Sequence, residues 1–243
     1  MRRALLVFLS LLLAVLLGLP PAYAGGIISE TFTDNTYNQD MWSIYTQGTG
    51  PSTAVTHNRL EITLPANASN GGNPYPFGGS IGTKFALKGD FDVQVDFNLF
   101  NWPAPTGVQV GIGPTARGGF FAGVWLINEP SYTPSPQVYE TWLNGEDFRA
   151  TASDASGKLR MQRVGNTITT YYWHSGWIFL GSRTDPVLGV NCGFNFYVLG
   201  AGPVGQNFQG KQVQVAFDNL QITYSAFAPQ KNYNPAVLQL LLD

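Results

Sequence analysis

Two groupings of side chains in this chain could do chemistry: acids set close together along a strand, and aromatic rings interleaved with amides. Asp90, Asp92 and Asp96 lie in the run Gly89-Asp-Phe-Asp-Val-Gln-Val-Asp-Phe97, and Glu140 and Glu146 flank Thr141-Trp142-Leu143-Asn144-Gly145. Hydrolysis of a glycosidic bond needs two carboxyl groups across one bond, about 5–5.5 Å apart for retention or about 6.5–9.5 Å for inversion. Asp92 and Asp96 share a strand face, but their Cα atoms are about 13 Å apart, so they read as a solvated outer face. Glu140 beside a tryptophan suits a sugar-binding site as well as a hydrolytic one. Other chemistries find no footing. His57 and His174 are the only histidines, Cys192 is the only cysteine, and no Gly-x-Ser-x-Gly, His-Glu-x-x-His or phosphate-loop string occurs.

A sugar ring presents an apolar C–H face edged by hydroxyls. Its site therefore needs a flat ring as platform and short amide, hydroxyl or carboxylate groups around it. Trp125, Tyr139 and Trp142, with Asn128, Glu140 and Asn144, are the candidate contacts for such a ligand. In Tyr171-Tyr172-Trp173 adjacent rings must point to opposite sides of a strand, so about half of these aromatics belong to a core.

The elements that would position these groups are strands. Alternation predicts about a dozen, over residues 27–32, 59–64, 79–87, 91–97, 108–112, 120–127, 138–142, 159–164, 167–173, 177–182, 192–198 and 213–224. Residues 91–97 alternate most cleanly, with Phe91, Val93, Val95 and Phe97 on one face. Residues 158–181 read as a three-stranded meander at a sheet edge, turned at Gly165-Asn166 and Ser175-Gly176, where glycine and asparagine accept positive φ cheaply. No window before residue 225 holds helical periodicity for three turns. The expected architecture is all-β, a two-sheet antiparallel sandwich. Its loops over 67–79, 102–107 and 129–136 are rich in Gly, Pro, Asn and Ser, and loops of that kind on a rigid sandwich often carry function.

Composition narrows the compartment and the partners. Met1-Arg2-Arg3, the leucine-rich run over 4–19 and Ala22-Tyr23-Ala24 have the three parts of a secretory signal, so residues 1–24 are expected to be removed and the chain secreted. The mature chain would carry a net charge of about −4, with no Lys/Arg cluster, which offers no attraction to nucleic acid. No membrane span is expected in it. A single cysteine allows no internal disulfide, so stability must rest on core burial. One domain is expected over 25–224, followed by a tail over 225–243.

Several segments resemble secreted domains of the concanavalin A-like lectin/glucanase superfamily, including laminin-G-like domains and the non-catalytic sandwich appended to some bacterial xylosidases. They are Glu30-Thr-Phe-Thr-Asp-Asn35 with Met41-Trp42, Asn58-Arg-Leu-Glu-Ile62, the 89–97 run, residues 156–172, Trp177-Ile-Phe-Leu-Gly181 and Val215-Ala-Phe-Asp-Asn-Leu-Gln-Ile222. The resemblance implies a jelly roll whose concave face binds glycans in several members. It does not imply catalysis, since one sandwich hosts lectins, hydrolases and inert spacers. The family's hydrolytic Glu-x-Asp-x-x-Glu strand is missing from this chain. The resemblance also suggests a structural calcium tying the first and last strands, for which Glu30, Asp34 and Asp218 stand in comparable places; local turn hydrogen bonds are the alternative role for them. The expected function is polysaccharide or glycan binding without catalysis. A hydrolase or lyase, and a structural protein without ligand, are the alternatives.

Overall fold

The computed structural model describes residues 25–115, 122–132 and 135–228; the leader expected over 1–24 and the tail from 229 onward lie outside them. Fifteen strands are present among the described residues: β1 (Gly26–Glu30), β2 (Trp42–Gln47), β3 (Ser52–Thr56), β4 (Arg59–Leu64), β5 (Gly78–Thr83), β6 (Leu87–Asn101), β7 (Val108–Thr115), β8 (Ala122–Asn128), β9 (Gln137–Leu143), β10 (Glu146–Thr151), β11 (Ser156–Val164), β12 (Thr167–Trp173), β13 (Trp177–Thr184), β14 (Gly193–Gly200) and β15 (Val213–Phe227). Short 3-10 turns occur at Thr33–Asn35, Pro186–Gly189 and Pro203–Gly205. Among the described residues no helix is long and apolar enough to cross a membrane.

The strands pair into two antiparallel sheets. One has eight strands in the order β13-β12-β11-β6-β15-β4-β3, with β1 also on β15; the other has seven, β10-β9-β8-β7-β14-β5-β2. Period-two alternation decides what lies between them. Phe91, Val93, Val95 and Phe97 of β6 point inward and are buried. From the other sheet they meet a register row of Ile44, Ile81, Phe196, Ile112, Val124, Thr141 and Phe148. Phe91 packs edge-on against Phe194 across the interior, ring centres 4.9 Å apart. Full burial of such a ring contributes about 1.5–3 kcal/mol. Cys192 is wholly buried, and burial pushes its thiol up to about 11, so it serves as a small core residue.

The meander over 158–181 forms as expected, with β13 at the sheet edge. Its first turn is the two-residue Gly165-Asn166 loop, Val164 pairing with Thr167 and Gly165 at φ 60. The second has three residues instead of the two expected: Trp173 pairs with Trp177, and the His174 N–H donates to the Gly176 carbonyl at 2.9 Å. The strand expected over 79–87 is broken after Thr83, whose hydroxyl donates to the Phe85 carbonyl at 2.9 Å before β6 begins at Leu87. β2, β3 and β10 were not anticipated: each is only five or six residues long, and β3 does not alternate, although Trp42-Ser43-Ile44 and Asp147-Phe148-Arg149-Ala150-Thr151 do. β15 continues to Phe227, three residues past the expected boundary at Tyr224.

Candidate functional site

On the outer face of the seven-stranded sheet one register row crosses every strand: Tyr45, Ser80, Tyr197, Gly111, Trp125, Glu140 and Arg149. Beside it Asn195 lies between Gly82 and Gly113, and Trp142 lies between Gly123 and Asp147. Aromatic, amide and hydroxyl groups thus alternate with glycines along this face; Ser80, Tyr197 and Asn195 are themselves buried, Tyr45, Trp125 and Trp142 are half-buried and Arg149 is exposed. The glycines have a steric cause. A Cβ on Gly123 would come within 2.4 Å of the Trp125 ring, one on Gly111 within 2.7 Å of the Trp125 Cβ and 3.1 Å of the Tyr197 hydroxyl, and one on Gly82 within 2.2 Å of the Asn195 Oδ1. The rings and the amide therefore lie down on the sheet instead of standing off it.

Glu140 fixes the tryptophan. Its Oε2 accepts from the Trp125 indole N–H at 3.1 Å and from the Tyr132 hydroxyl at 3.0 Å, while its Oε1 accepts from the Arg149 Nε at 3.2 Å and Nη2 at 3.0 Å. The carboxylate is only 5% exposed, and the guanidinium stacks over the Tyr132 ring at 4.0 Å. Charge-assisted bonds of this kind are roughly twice as strong as neutral ones. Both carboxylate oxygens are occupied, so Glu140 works as a brace beneath the platform. Burial, then the Glu140 charge, push the Tyr132 phenol above its ordinary value, which keeps it a neutral donor.

Asp147 completes the cluster, its Oδ2 lying 2.6 Å from the same Arg149 Nη2. Burial first, then the charge and hydrogen bond of Glu140, lift its carboxyl to about 6 against the pull of Arg149. A group whose folded value lies above its unfolded value holds its proton more tightly when folded, so its contribution to stability is present at acid pH and is lost as pH rises through about 6. Asp147→Asn, uncharged at every pH, is therefore expected to melt above the wild type at about pH 8 and to converge with it near about pH 4. Thermal scans across that range check this; two parallel curves would remove Asp147 as the titrating group.

Of the residues expected at a ligand, Trp125, Glu140 and Trp142 do come together on this face. Tyr139 does not: it alternates with Glu140, points inward at 0% exposure, stacks on Tyr172 at 4.2 Å and donates to Asp154 at 2.9 Å. Asn128 is also buried, its Oδ1 accepting the Thr106 N–H at 3.1 Å to hold the 102–107 loop. Asn144 sits in the β9–β10 turn at φ 46 and donates to Asp185 at 2.9 Å. Sequence reasoning missed Tyr132, Asp147, Arg149 and Tyr197. A signal for Arg149 was present: an Asn144-Gly145 two-residue turn sets Leu143 against Glu146, which puts Arg149 opposite Glu140.

The three acids considered for calcium fall apart. Glu30 spends its two oxygens on the N–H groups of Phe32 (3.0 Å) and Asn38 (2.8 Å), bracing the opening turn. Asp34 is exposed in the 3-10 turn, and Asp218 accepts the Asn219 N–H at 2.7 Å. Burial raises the Asp218 carboxyl, the Asn219 N–H opposes this and the Asp96 charge adds to it. Among the described residues no group of three or more His, Cys, Asp or Glu side chains could hold a metal ion. Glu30, Asp34 and Asp218 are thus not gathered into a calcium site among the described residues.

No protein-family model and no curated protein matches the sequence. Solved structures share its fold. The CBM2 module of the evolved Dit of Lactobacillus casei BL23 phage J-1 aligns with a TM-score of 0.59 at 11% identity, over 82% of this chain and 95% of that one. The Bacillus licheniformis beta-glucanase aligns at 0.58 and 12%, over 82% and 98%. The VIP36 exoplasmic/lumenal domain in its Ca2+/Man2-bound form aligns at 0.56 and 12%, over 85% and 96%. These are concanavalin A-like jelly rolls, and this chain has the same two-sheet architecture.

Proposed function

We propose that this protein is a secreted, non-catalytic sandwich that binds polysaccharide across the outer face of its seven-stranded sheet, with Trp125 and Trp142 as the stacking surfaces. The supporting observation is the mounting of Trp125, whose ring rests on Gly123 and whose indole N–H is tied to the buried Glu140. A platform held in this way loses little side-chain entropy when a ligand lands on it. The sparse charge of the chain, 12% of residues against 14% aromatic, suits a neutral hydroxylated ligand better than an ionic one. Likeness to a carbohydrate-binding module and to a domain solved with Man2 supports the same reading. Affinity electrophoresis through barley β-glucan, xylan, mannan and laminarin gels tests it. Retardation by at least one of these, weakened about tenfold or more in Trp125→Ala and in Trp142→Ala, is expected. Unretarded migration in all four gels would end the proposal.

A glycosidase is the second reading. It is favoured by the placement of Glu140 and Asp147 on one Arg149 nitrogen and by the Asp147 value of about 6. The saturation of both Glu140 oxygens argues against it, because a nucleophile needs a lone pair facing the sugar. Release of reducing ends from those polysaccharides, abolished by Asp147→Asn, would establish hydrolysis in place of simple binding.

A further inference from the structure

A cavity lies on the eight-stranded sheet, whereas the Trp125 face belongs to the seven-stranded one. It has a volume of about 440 Å³, and its walls include Asp96 of β6, Lys158 of β11, Trp173 of β12, His174 of the β12–β13 turn, and Asp154 and Ser156 at the start of β11. Cavities of about 300–1,000 Å³ are the usual size for small ligands. The geometry points to an independent binding site for a single neutral sugar unit, stacked on Trp173 and held at its hydroxyls by the surrounding polar groups.

The charges in the cavity select the ligand class. The Lys158 ammonium is already paired with Asp96 at 2.9 Å, and the His174 Nδ1 lies 3.2 Å from Asp154 Oδ1. An anion would meet two carboxylates, Asp96 and Asp154, against the single Lys158 ammonium that Asp96 already pairs. A cation would meet the Lys158 ammonium and a carboxylate, Asp96, already paired with it. What remains is acceptor capacity on two carboxylates, a hydroxyl on Ser156, and the apolar face of Trp173, a combination that fits a ring with C–H faces and hydroxyl edges. The ring is held in place: Trp177 packs edge-on to it at 5.4 Å, and the Lys158 ammonium stands 5.8 Å from its centre. Asp154 is equally fixed, since its Oδ2 accepts the hydroxyl of the core residue Tyr139 at 2.9 Å and its carbonyl accepts the Gln137 amide at 3.3 Å. Asp154 is thus anchored to the sandwich interior before any ligand arrives, which lowers the ordering cost of binding. With the other face also occupied, one molecule would bridge two glycan chains, and avidity would exceed either single affinity.

The test titrates the full-length secreted protein with the methyl glycosides of glucose, xylose, mannose and galactose, and with methyl glucuronide, by saturation-transfer NMR and calorimetry. At least one neutral glycoside is expected to bind the Trp125→Ala protein, whose other face is disabled, and adding Trp173→Ala is expected to weaken that binding about tenfold or more. His174→Ala removes a side chain that is 61% exposed, so it cannot act by unfolding the core; it is expected to weaken binding about threefold or more. Absence of binding of all four neutral glycosides to the Trp125→Ala protein, tighter binding of the glucuronide, or an unchanged Kd on adding Trp173→Ala or His174→Ala would each overturn the assignment. Failure here leaves polysaccharide retardation by the Trp125 face standing, and failure of that retardation leaves this titration intact.

Discussion

Arg163→Leu is expected to lower the melting temperature by about 10 °C or more, a loss of about 3–5 kcal/mol. Arg163 follows Leu159 and Met161 on the inward face of β11, yet it is 0% exposed. Its guanidinium donates from Nε to the Gly89 carbonyl at 2.7 Å, from Nη2 to the same oxygen, and from Nη1 to Val190 at 2.5 Å and Leu188 at 3.3 Å, while its plane lies 4.6 Å from the centre of the Phe91 ring. Burial pulls its pKa down, so the charge is costly; Cys192 and the Asp90 charge oppose that shift, and the hydrogen bonds that hold the fork go to carbonyl oxygens. Removing the side chain strands three carbonyls, each costing about 1–3 kcal/mol when left unpaired in the interior. Those carbonyls belong to the start of β6 and to the segment leading into β14, which carries Asn195 and Tyr197 to the outer face. Arg163→Lys retains a charge but loses the fork, and is expected to recover less than half of the stability. Thermal melts of the two variants decide the matter; a lysine variant as stable as the wild type would mean that charge alone suffices at this position.

Arg163 also illustrates what could be read from residue order and what could not. The inward faces of β6 and β11 were legible because Phe91-x-Val93-x-Val95-x-Phe97 and Leu159-x-Met161 obey a period of two, and the meander followed from its turn residues. The same period, applied strictly to β9, would have separated Tyr139 from Glu140 and Trp142, since neighbours on a strand cannot share a face. β8 gave no such guidance: Ala-Gly-Val-Trp-Leu-Ile-Asn is apolar on both sides, so nothing local said that Trp125 faces outward. The register row from Tyr45 to Arg149 draws on strands more than a hundred residues apart. The glycine seats beneath Trp125 and Asn195 are consequences of that pairing, and a glycine by itself does not say what will lie on it. The cavity beside Trp173 is of the same kind, assembled from β6, β11 and a turn by sheet order alone.

Glu140→Leu is expected to cost about 3 kcal/mol in stability and to abolish polysaccharide retardation, although Glu140 is too enclosed to touch a ligand. The substitution leaves the Trp125 indole N–H, the Tyr132 hydroxyl and one side of the Arg149 guanidinium without their acceptor. Arg149 retains Asp147 at 2.6 Å, which limits the loss, whereas Trp125 keeps only its packing on Gly123 and the Ile127–Val138 cluster and no hydrogen bond to set the angle of its ring. Glu140→Gln separates bracing from contact. One amide oxygen can still accept, but the amide nitrogen must then face either the indole N–H or the guanidinium, donor against donor. The glutamine variant is therefore expected to melt about 3–6 °C below the wild type, to shift tryptophan emission to the red, and to bind glycan at least about fivefold more weakly. A ligand-contact role would predict weaker binding with melting and emission unchanged, because only a brace couples the tightness of Trp125 to the stability of the sheet beneath it.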